Sequence, residues 1–166
     1  NWIFVGGASA GATMALNSTY LTDAIVQQKY PDAAALLGGL NNAGNNLNNT
    51  YSVKGIYSIA GALPDSNLIT AETAVPTIFF QGGADEVIPV DRGTYLWCDN
   101  YPKLYGSLCL YRRLQAVNKP AVAHILPGSG HGNNGNSGYD SPFLMSNTAC
   151  FFHSIMRKEL PQTGIF

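Results

Sequence analysis

The chain has 166 residues, with 9 Lys and Arg against 10 Asp and Glu and a net charge of −1. So even a balance excludes a charge-driven nucleic-acid or acidic-membrane binder, and no apolar run reaches the roughly 20 residues of a membrane span. Only 11% of the residues are charged, and Asn, Gly, Ser, Thr and Tyr supply the polar surface instead. That composition favours a secreted or cell-surface protein, of a length that suits one domain with its own core.

Trp2-Ile3-Phe4-Val5 is a short apolar run of the kind that fits a buried strand. Gly6-Gly7-Ala8-Ser9-Ala10-Gly11-Ala12 follows, and Thr13-Met14-Ala15-Leu16 then opens a helical pattern. Strand, tight glycine turn and helix form the context in which G-x-S-x-G sets a serine hydroxyl clear of the backbone. Gly7 and Gly11 are expected to keep the turn and the strand–helix crossing free of Cβ clashes. The helix that opens after Ser9 points N–H groups and the positive end of its dipole at the place where an oxyanion forms. Such turns also serve as packing devices, and no Gly-Lys-Ser/Thr follows to make a phosphate loop.

From residue 12 to about 30 the pattern is helical, with Met14, Leu16, Leu21, Ala24 and Ile25 as its buried stripe. Pro31 and Asp32 break it, and a short helical piece over 33–37 ends at Gly38-Gly39. The Asn- and Gly-rich stretch 41–49 reads as a surface loop. Residues 53–60 alternate as a strand closing on Gly61, and 65–73 are mixed. Pro76-Thr77-Ile78-Phe79-Phe80 is a near-continuous apolar run, the mark of a strand buried on both faces of a parallel sheet. It leads into Gln81-Gly82-Gly83-Ala84-Asp85-Glu86-Val87-Ile88-Pro89. A helix is expected to begin over 90–97, and a clearer one covers 106–117. Residues 121–126 form the next strand, followed by Pro127-Gly128-Ser129-Gly130-His131-Gly132. A last amphipathic helix covers about 141–158. Strands alternating with helices predict an α/β fold, a mostly parallel sheet with helices on both faces.

The three cysteines, Cys98, Cys109 and Cys150, lack metal-ligand spacing. Cys98 and Cys109 flank a Pro- and Gly-containing segment and either close a small surface disulfide or stay as buried thiols, the state free Cys prefers. Cys150 reads as helix core. Asn17-Ser18-Thr19 and Asn48-Asn49-Thr50 fit the N-glycosylation pattern.

In open parallel sheets reactive groups gather beyond the carboxyl ends of the strands. Ser9, Asp85 and His131 each follow a predicted strand at that end, in the order Ser, acid, His. The chemistry assigns Ser9 Oγ as nucleophile and His131 as the base that takes its proton and returns it to the leaving alcohol. Asp85 fixes the imidazole tautomer and stabilises the imidazolium. Asp is also common in turns simply as a backbone cap; Glu86 and Asp65 are the alternative acids. His124, inside an apolar strand, reads as a core histidine, and His153, on the final helix, has no assigned role.

These motifs resemble the C-terminal half of an α/β-hydrolase of the secreted bacterial carboxylesterase/lipase type, close to feruloyl- and acetyl-esterase-like proteins. Gly7-Ala8-Ser9-Ala10-Gly11 resembles the nucleophile elbow. Leu37-Gly38-Gly39-Leu40, Gly55 and Ala60-Gly61-Ala62-Leu63 resemble segments around the next strand. Gln81 through Pro89 resembles an H-G-T-x-D-x-x-V-P acid loop, and Tyr105-Gly106-Ser107 with Gly130-His131 completes the likeness. Gln81 stands where that pattern has His and Gly83 where it has Thr, changes expected to affect loop packing more than the acid. The resemblance implies a serine ester hydrolase without metal or cofactor, acting through an acyl-enzyme on a small or polymer-linked ester.

It also implies about four strands ahead of the elbow, so residues 1–166 are expected to be the C-terminal part of one larger catalytic domain. The N-terminal half would be a partner segment or chain, supplying the second oxyanion donor beside the Ala10 N–H. A closed, self-contained sheet would refute that. A serine peptidase or acyltransferase of the same fold, and a non-catalytic relative binding a glycan or partner in the same cleft, are the competing readings. Ala8 and Ala10 beside Ser9 suit an esterase better by the same resemblance. Leu160-Pro161-Gln162-Thr163-Gly164 fits a cell-wall sorting pentapeptide without the apolar span and basic tail such a signal requires, and reads as chance or a tag.

Overall fold

A computed structural model describes residues 2–40, 44, 50–131 and 140–166. In chain order the elements are β1 (Phe4–Ala8), α1 (Ala10–Tyr20), α2 (Asp23–Lys29), α3 (Pro31–Leu37), β2 (Gly55–Ile59) and β3 (Thr77–Gly82). Then follow β4 (Arg92–Thr94), β5 (Lys103–Tyr105), α4 (Ser107–Ala116), β6 (Ala121–Leu126), α5 (Ser141–Met156) and β7 (Gly164–Ile165). A five-stranded sheet runs in the order β1-β2-β3-β6-β7, and every neighbouring pair is parallel. This is an α/β fold. β4 and β5 form a separate antiparallel ribbon.

Parallel sheets need both faces covered, and β3 at the centre is buried along its whole length. On one face Leu16 and Tyr20 of α1 and Leu110 and Leu114 of α4 pack with Ile56, Phe79, Ala121 and Ala123. On the other, Phe151, Phe152 and Ile155 of α5 pack with Tyr57, Ile78, Phe80 and Val122. The strand residues alternate between the two clusters, as the two-residue period of a strand requires. β1 pairs with β2 alone, and no strand lies on its other edge among the described residues. Phe4 in β1 stacks on Phe152 with ring centroids 4.1 Å apart.

His124 is a core histidine, as expected: it is 8% exposed, stacked on Phe80 and Phe166 and edge-on to Phe143. Burial pushes its pKa below the ordinary 6.5. A depressed imidazole pKa means the folded state favours the neutral ring, so this contribution is present above the ordinary value and is lost as pH falls through the lowered one. The urea midpoint is therefore expected to fall as pH drops from about 7 to about 5. A His124→Phe variant, measured over the same range, should show a shallower fall.

Several expectations need correction. The single helix over 12–30 is two helices, because Thr22 takes an extended conformation and caps α2, accepting from the Ile25 N–H at 3.3 Å. Leu16 is buried and Leu21 and Ile25 pack on the core, whereas Met14 is 72% exposed and Ala24 is exposed. The break at Pro31 is present, since α2 ends at Lys29 and Tyr30 leaves helical geometry, but the next helix starts at Pro31 itself rather than at residue 33, as its fixed φ and missing N–H allow at a first helical position. The helix expected over 90–97 is β4 and a single 3-10 turn. Apart from the Cys98 N–H to Tyr95 O bond of that turn, its groups bond away from any helix, Leu96 N–H to Val87 O and Gly106 N–H to Asp91 O. Cys98, Cys109 and Cys150 are free thiols, the first two half-buried and Cys150 exposed, so neither the disulfide nor the buried-thiol reading holds. Phe151 is the buried residue of that part of α5. Asn17 lies within α1 with its amide on Thr13 O at 2.8 Å, and Asn48 and Asn49 lie outside the described residues. The tail is built into the sheet: β7 pairs Gly164 with Val122, and Phe166 exchanges backbone bonds with Ala123 and Ile125. Among the described residues no helix is long and apolar enough to cross a membrane.

Candidate active site

Because the sheet is parallel, β1, β3 and β6 end at one rim, and Ser9, Asp85 and His131 follow those ends. Ser9 sits between the last residue of β1 and the first of α1 with φ 51° and ψ −117°. A non-glycine residue held there stores on the order of 1–3 kcal/mol of strain, and the surroundings keep it in place. Its N–H donates to Ile59 O at 2.7 Å and its carbonyl accepts the first bond of α1, from Thr13 N–H at 3.0 Å. The crossing of β1 over α1 is tight at Gly7, where a Cβ would stand 2.6 Å from the Gly11 carbonyl carbon and 2.9 Å from Ala12 N. Gly11 has no such constraint, since a Cβ there meets nothing within 4 Å; that half of the expectation fails.

The three side chains form a chain of hydrogen bonds. Ser9 Oγ lies 2.8 Å from His131 Nε2, and His131 Nδ1 lies 2.9 Å from each carboxylate oxygen of Asp85. Asp85 is buried, and only 13% of the His131 side chain is exposed. The backbone N–H groups of Val87 and Ile88 both donate to Asp85 Oδ1 at 2.9 Å. The Gln81 amide donates to Oδ2 at 3.1 Å. A carboxylate in that setting offers only acceptors to His131, which places the ring proton on Nδ1 and leaves the Nε2 lone pair facing the serine hydroxyl. Ala10, exposed beside Ser9, is the first residue of α1. Its N–H has no intrahelical carbonyl to bond, so it is open to an anion at the serine.

The loops that carry the acid and the histidine are tied together. Ala84 N–H donates to Ser129 O at 2.9 Å, and Glu86, the alternative acid, accepts from the His131 backbone N–H at 3.0 Å. Asp65, the other alternative, caps the 3-10 turn at Ser66–Leu68 and pairs with Lys29 at 3.3 Å. His153 lies exposed on α5. Neither Asp65 nor His153 takes part in the hydrogen-bond chain. Trp97 Nε1 donates to the Asp85 carbonyl at 3.1 Å and holds the acid loop from outside. Among the described residues no group of acidic, His and Cys side chains is arranged to hold a metal ion. A groove of about 380 Å³ lined by His124, Cys150 and Phe166 touches none of the three residues.

No family model, curated protein or solved structure matches the chain. The reading of the site therefore rests on its own geometry.

Two contacts at the site go beyond the sequence expectations. Glu86, expected only as an alternative acid, instead clamps the histidine loop through the His131 N–H. Gln81 was expected to matter for packing, yet its amide lies on the acid itself, which corrects that expectation. The available signal is a polar side chain near the end of a largely apolar strand, where burial demands partners.

Gly82 lets the two loops meet. A Cβ there would fall within contact distance of the Ser129 and Gly130 carbonyl oxygens, with the Ser129 carbonyl carbon 2.7 Å away. Gly82→Ala is expected to displace the His131 loop and, if the site is catalytic, to lower kcat about 10²-fold, the usual effect of a 1 Å misplacement. Overpacking should destabilise the chain by about 1–3 kcal/mol. Urea denaturation and steady-state kinetics on an aryl ester check the two effects separately.

Proposed function

We propose that the chain is the C-terminal part of the catalytic domain of a serine carboxylic-ester hydrolase with the α/β-hydrolase arrangement. The observation that carries this reading is the continuous bond chain from Ser9 Oγ through His131 to the buried Asp85 carboxylate, with the serine on a strained strand-to-helix turn. Pure binding does not require all three groups in that order. In the proposed reaction His131 Nε2 takes the hydroxyl proton as Ser9 Oγ adds to the ester carbonyl, and the Ala10 N–H faces the resulting oxyanion. The imidazolium then gives that proton to the departing alcohol. Water, deprotonated by the same nitrogen, releases the acid from the acyl-enzyme. No metal or other cofactor enters the scheme.

The β1 edge supports the larger-domain part of the proposal. Trp2 is 49% exposed, Phe4 and Val5 are only half buried, and the outer backbone groups of β1 have no strand partner among the described residues. An open edge of this kind invites a further strand. The segment that covers it is proposed to bring the second oxyanion donor, without which the rate is lower by about 10²–10³-fold.

The test is fluorophosphonate labelling of the native protein with peptide mapping. An adduct on Ser9 that disappears in Ser9→Ala supports the reading. A folded native protein that takes no label overturns it in favour of a binding role. Turnover of aryl acetates against peptide amides separates an esterase from a peptidase.

A further inference from the structure

The unexplained feature of the site is Gln81. It is 2% exposed, and both N–H groups and the oxygen of its amide are engaged. One Nε2 hydrogen goes to Asp85 Oδ2 at 3.1 Å and the other to Ile88 O at 2.9 Å. Oε1 accepts the N–H of Ser107, the first residue of α4, at 3.3 Å. These three partners fix which way the amide faces, because a carboxylate and a carbonyl both need a donor and the Ser107 N–H needs an acceptor. Apart from His131 itself, the loop holds the Asp85 carboxylate on one oxygen, since Val87 and Ile88 both donate to Oδ1. Two bonds to a single oxygen do not set the rotation of the carboxylate plane about its Cβ–Cγ bond. The bond to Oδ2 stops that rotation and keeps both oxygens 2.9 Å from His131 Nδ1.

We propose that Gln81 is a positioning residue that locks the plane of the Asp85 carboxylate against His131 and refers it to the rigid start of α4. The proposal rests on the hydrolase reading above. Gln81 does not touch the reacting atoms; it acts through Asp85. A histidine at this position, with its two ring nitrogens, serves at most two of the three partners, so the glutamine is a more complete brace than the residue of the resembling pattern.

The test measures fluorophosphonate labelling rate at Ser9, and kcat and KM on an aryl acetate, in the native protein. Gln81→Met keeps the length of the side chain and removes its hydrogen bonds. Labelling rate and kcat are expected to fall about 10²-fold with KM unchanged. The same change in an Asp85→Asn background is expected to add little, because the carboxylate it orients is gone. Gln81→Leu, which is shorter and offers no donor to Oδ2, guards against a methionine variant that does not fold, and should lose labelling similarly. A folded Gln81→Met or Gln81→Leu that labels at the wild-type rate overturns the proposal alone. So does a loss that is fully additive with Asp85→Asn, which marks a purely structural role. A wild-type protein that takes no label at Ser9 removes the hydrolase reading, and this proposal with it.

Discussion

Ser9→Ala is expected to lower kcat on an aryl ester by about 10⁶-fold while leaving the thermal midpoint nearly unchanged. Both halves follow from where Ser9 sits. Its backbone is fixed by the Ile59 and Thr13 bonds, and alanine keeps the Cβ, so the left-handed turn at φ 51° is equally strained in the variant. The side chain contributes one partly buried hydrogen bond, to His131 Nε2, worth about 0.5–1.5 kcal/mol net. On the proposed mechanism the hydroxyl is the nucleophile, and with it gone the histidine and acid have nothing to activate. Kinetics and differential scanning calorimetry on the same preparation check the pair of outcomes. Retained turnover would remove Ser9 from the mechanism, whatever the geometry around it.

Those parts of the molecule that depend on strand ends were legible in the sequence. Pro76 to Phe80 and Ala121 to Leu126 are largely apolar runs, each followed by a glycine-rich turn, and both supply parallel strands of the sheet. Once three such strands are parallel, the residues just past their ends share a rim, which is why Ser9, Asp85 and His131 were found together without any geometry. What was hidden depends on contacts distant in sequence. β4, β5 and β7 are two or three residues long, too short for any periodicity to register, and exist because a partner strand lies alongside. The tail is the clearest case: its five-residue pattern reads as chance or a tag, but Gly164 and Ile165 are placed by β6. Met14 is apolar and at helical spacing, yet it falls on the face of α1 away from Leu16 and Tyr20. Gln81 was visible as an odd residue in an apolar strand; that its amide reaches Asp85 four positions later depends on how the acid loop folds back.

Asp85→Asn is expected to lower kcat about 10⁴-fold, with the chain still folded. The size of the effect comes from a count of donors around one side chain. Val87 N–H, Ile88 N–H and the Gln81 amide already point at the carboxylate, and His131 Nδ1 is 2.9 Å from both oxygens. An asparagine has a single acceptor oxygen. Turned toward Val87 and Ile88, the oxygen satisfies two backbone donors and the NH₂ group faces His131 and the Gln81 N–H, which is the single donor left without an acceptor. His131 Nδ1 must then accept rather than donate, which moves the ring proton to Nε2. The nitrogen beside Ser9 becomes a donor and no longer takes the hydroxyl proton. Turned the other way, the amide sets its hydrogens against two buried backbone N–H groups, at about 1–3 kcal/mol for each donor left unpaired, so the first orientation prevails. The fold survives because the backbone of the acid loop keeps its bonds; the base of the proposed mechanism is lost because the tautomer is wrong. A rise in rate at alkaline pH, where hydroxide replaces the missing base, would carry the same signature. An Asp85→Asn protein with near wild-type kcat would show that Asp85 acts only as the cap of its own loop.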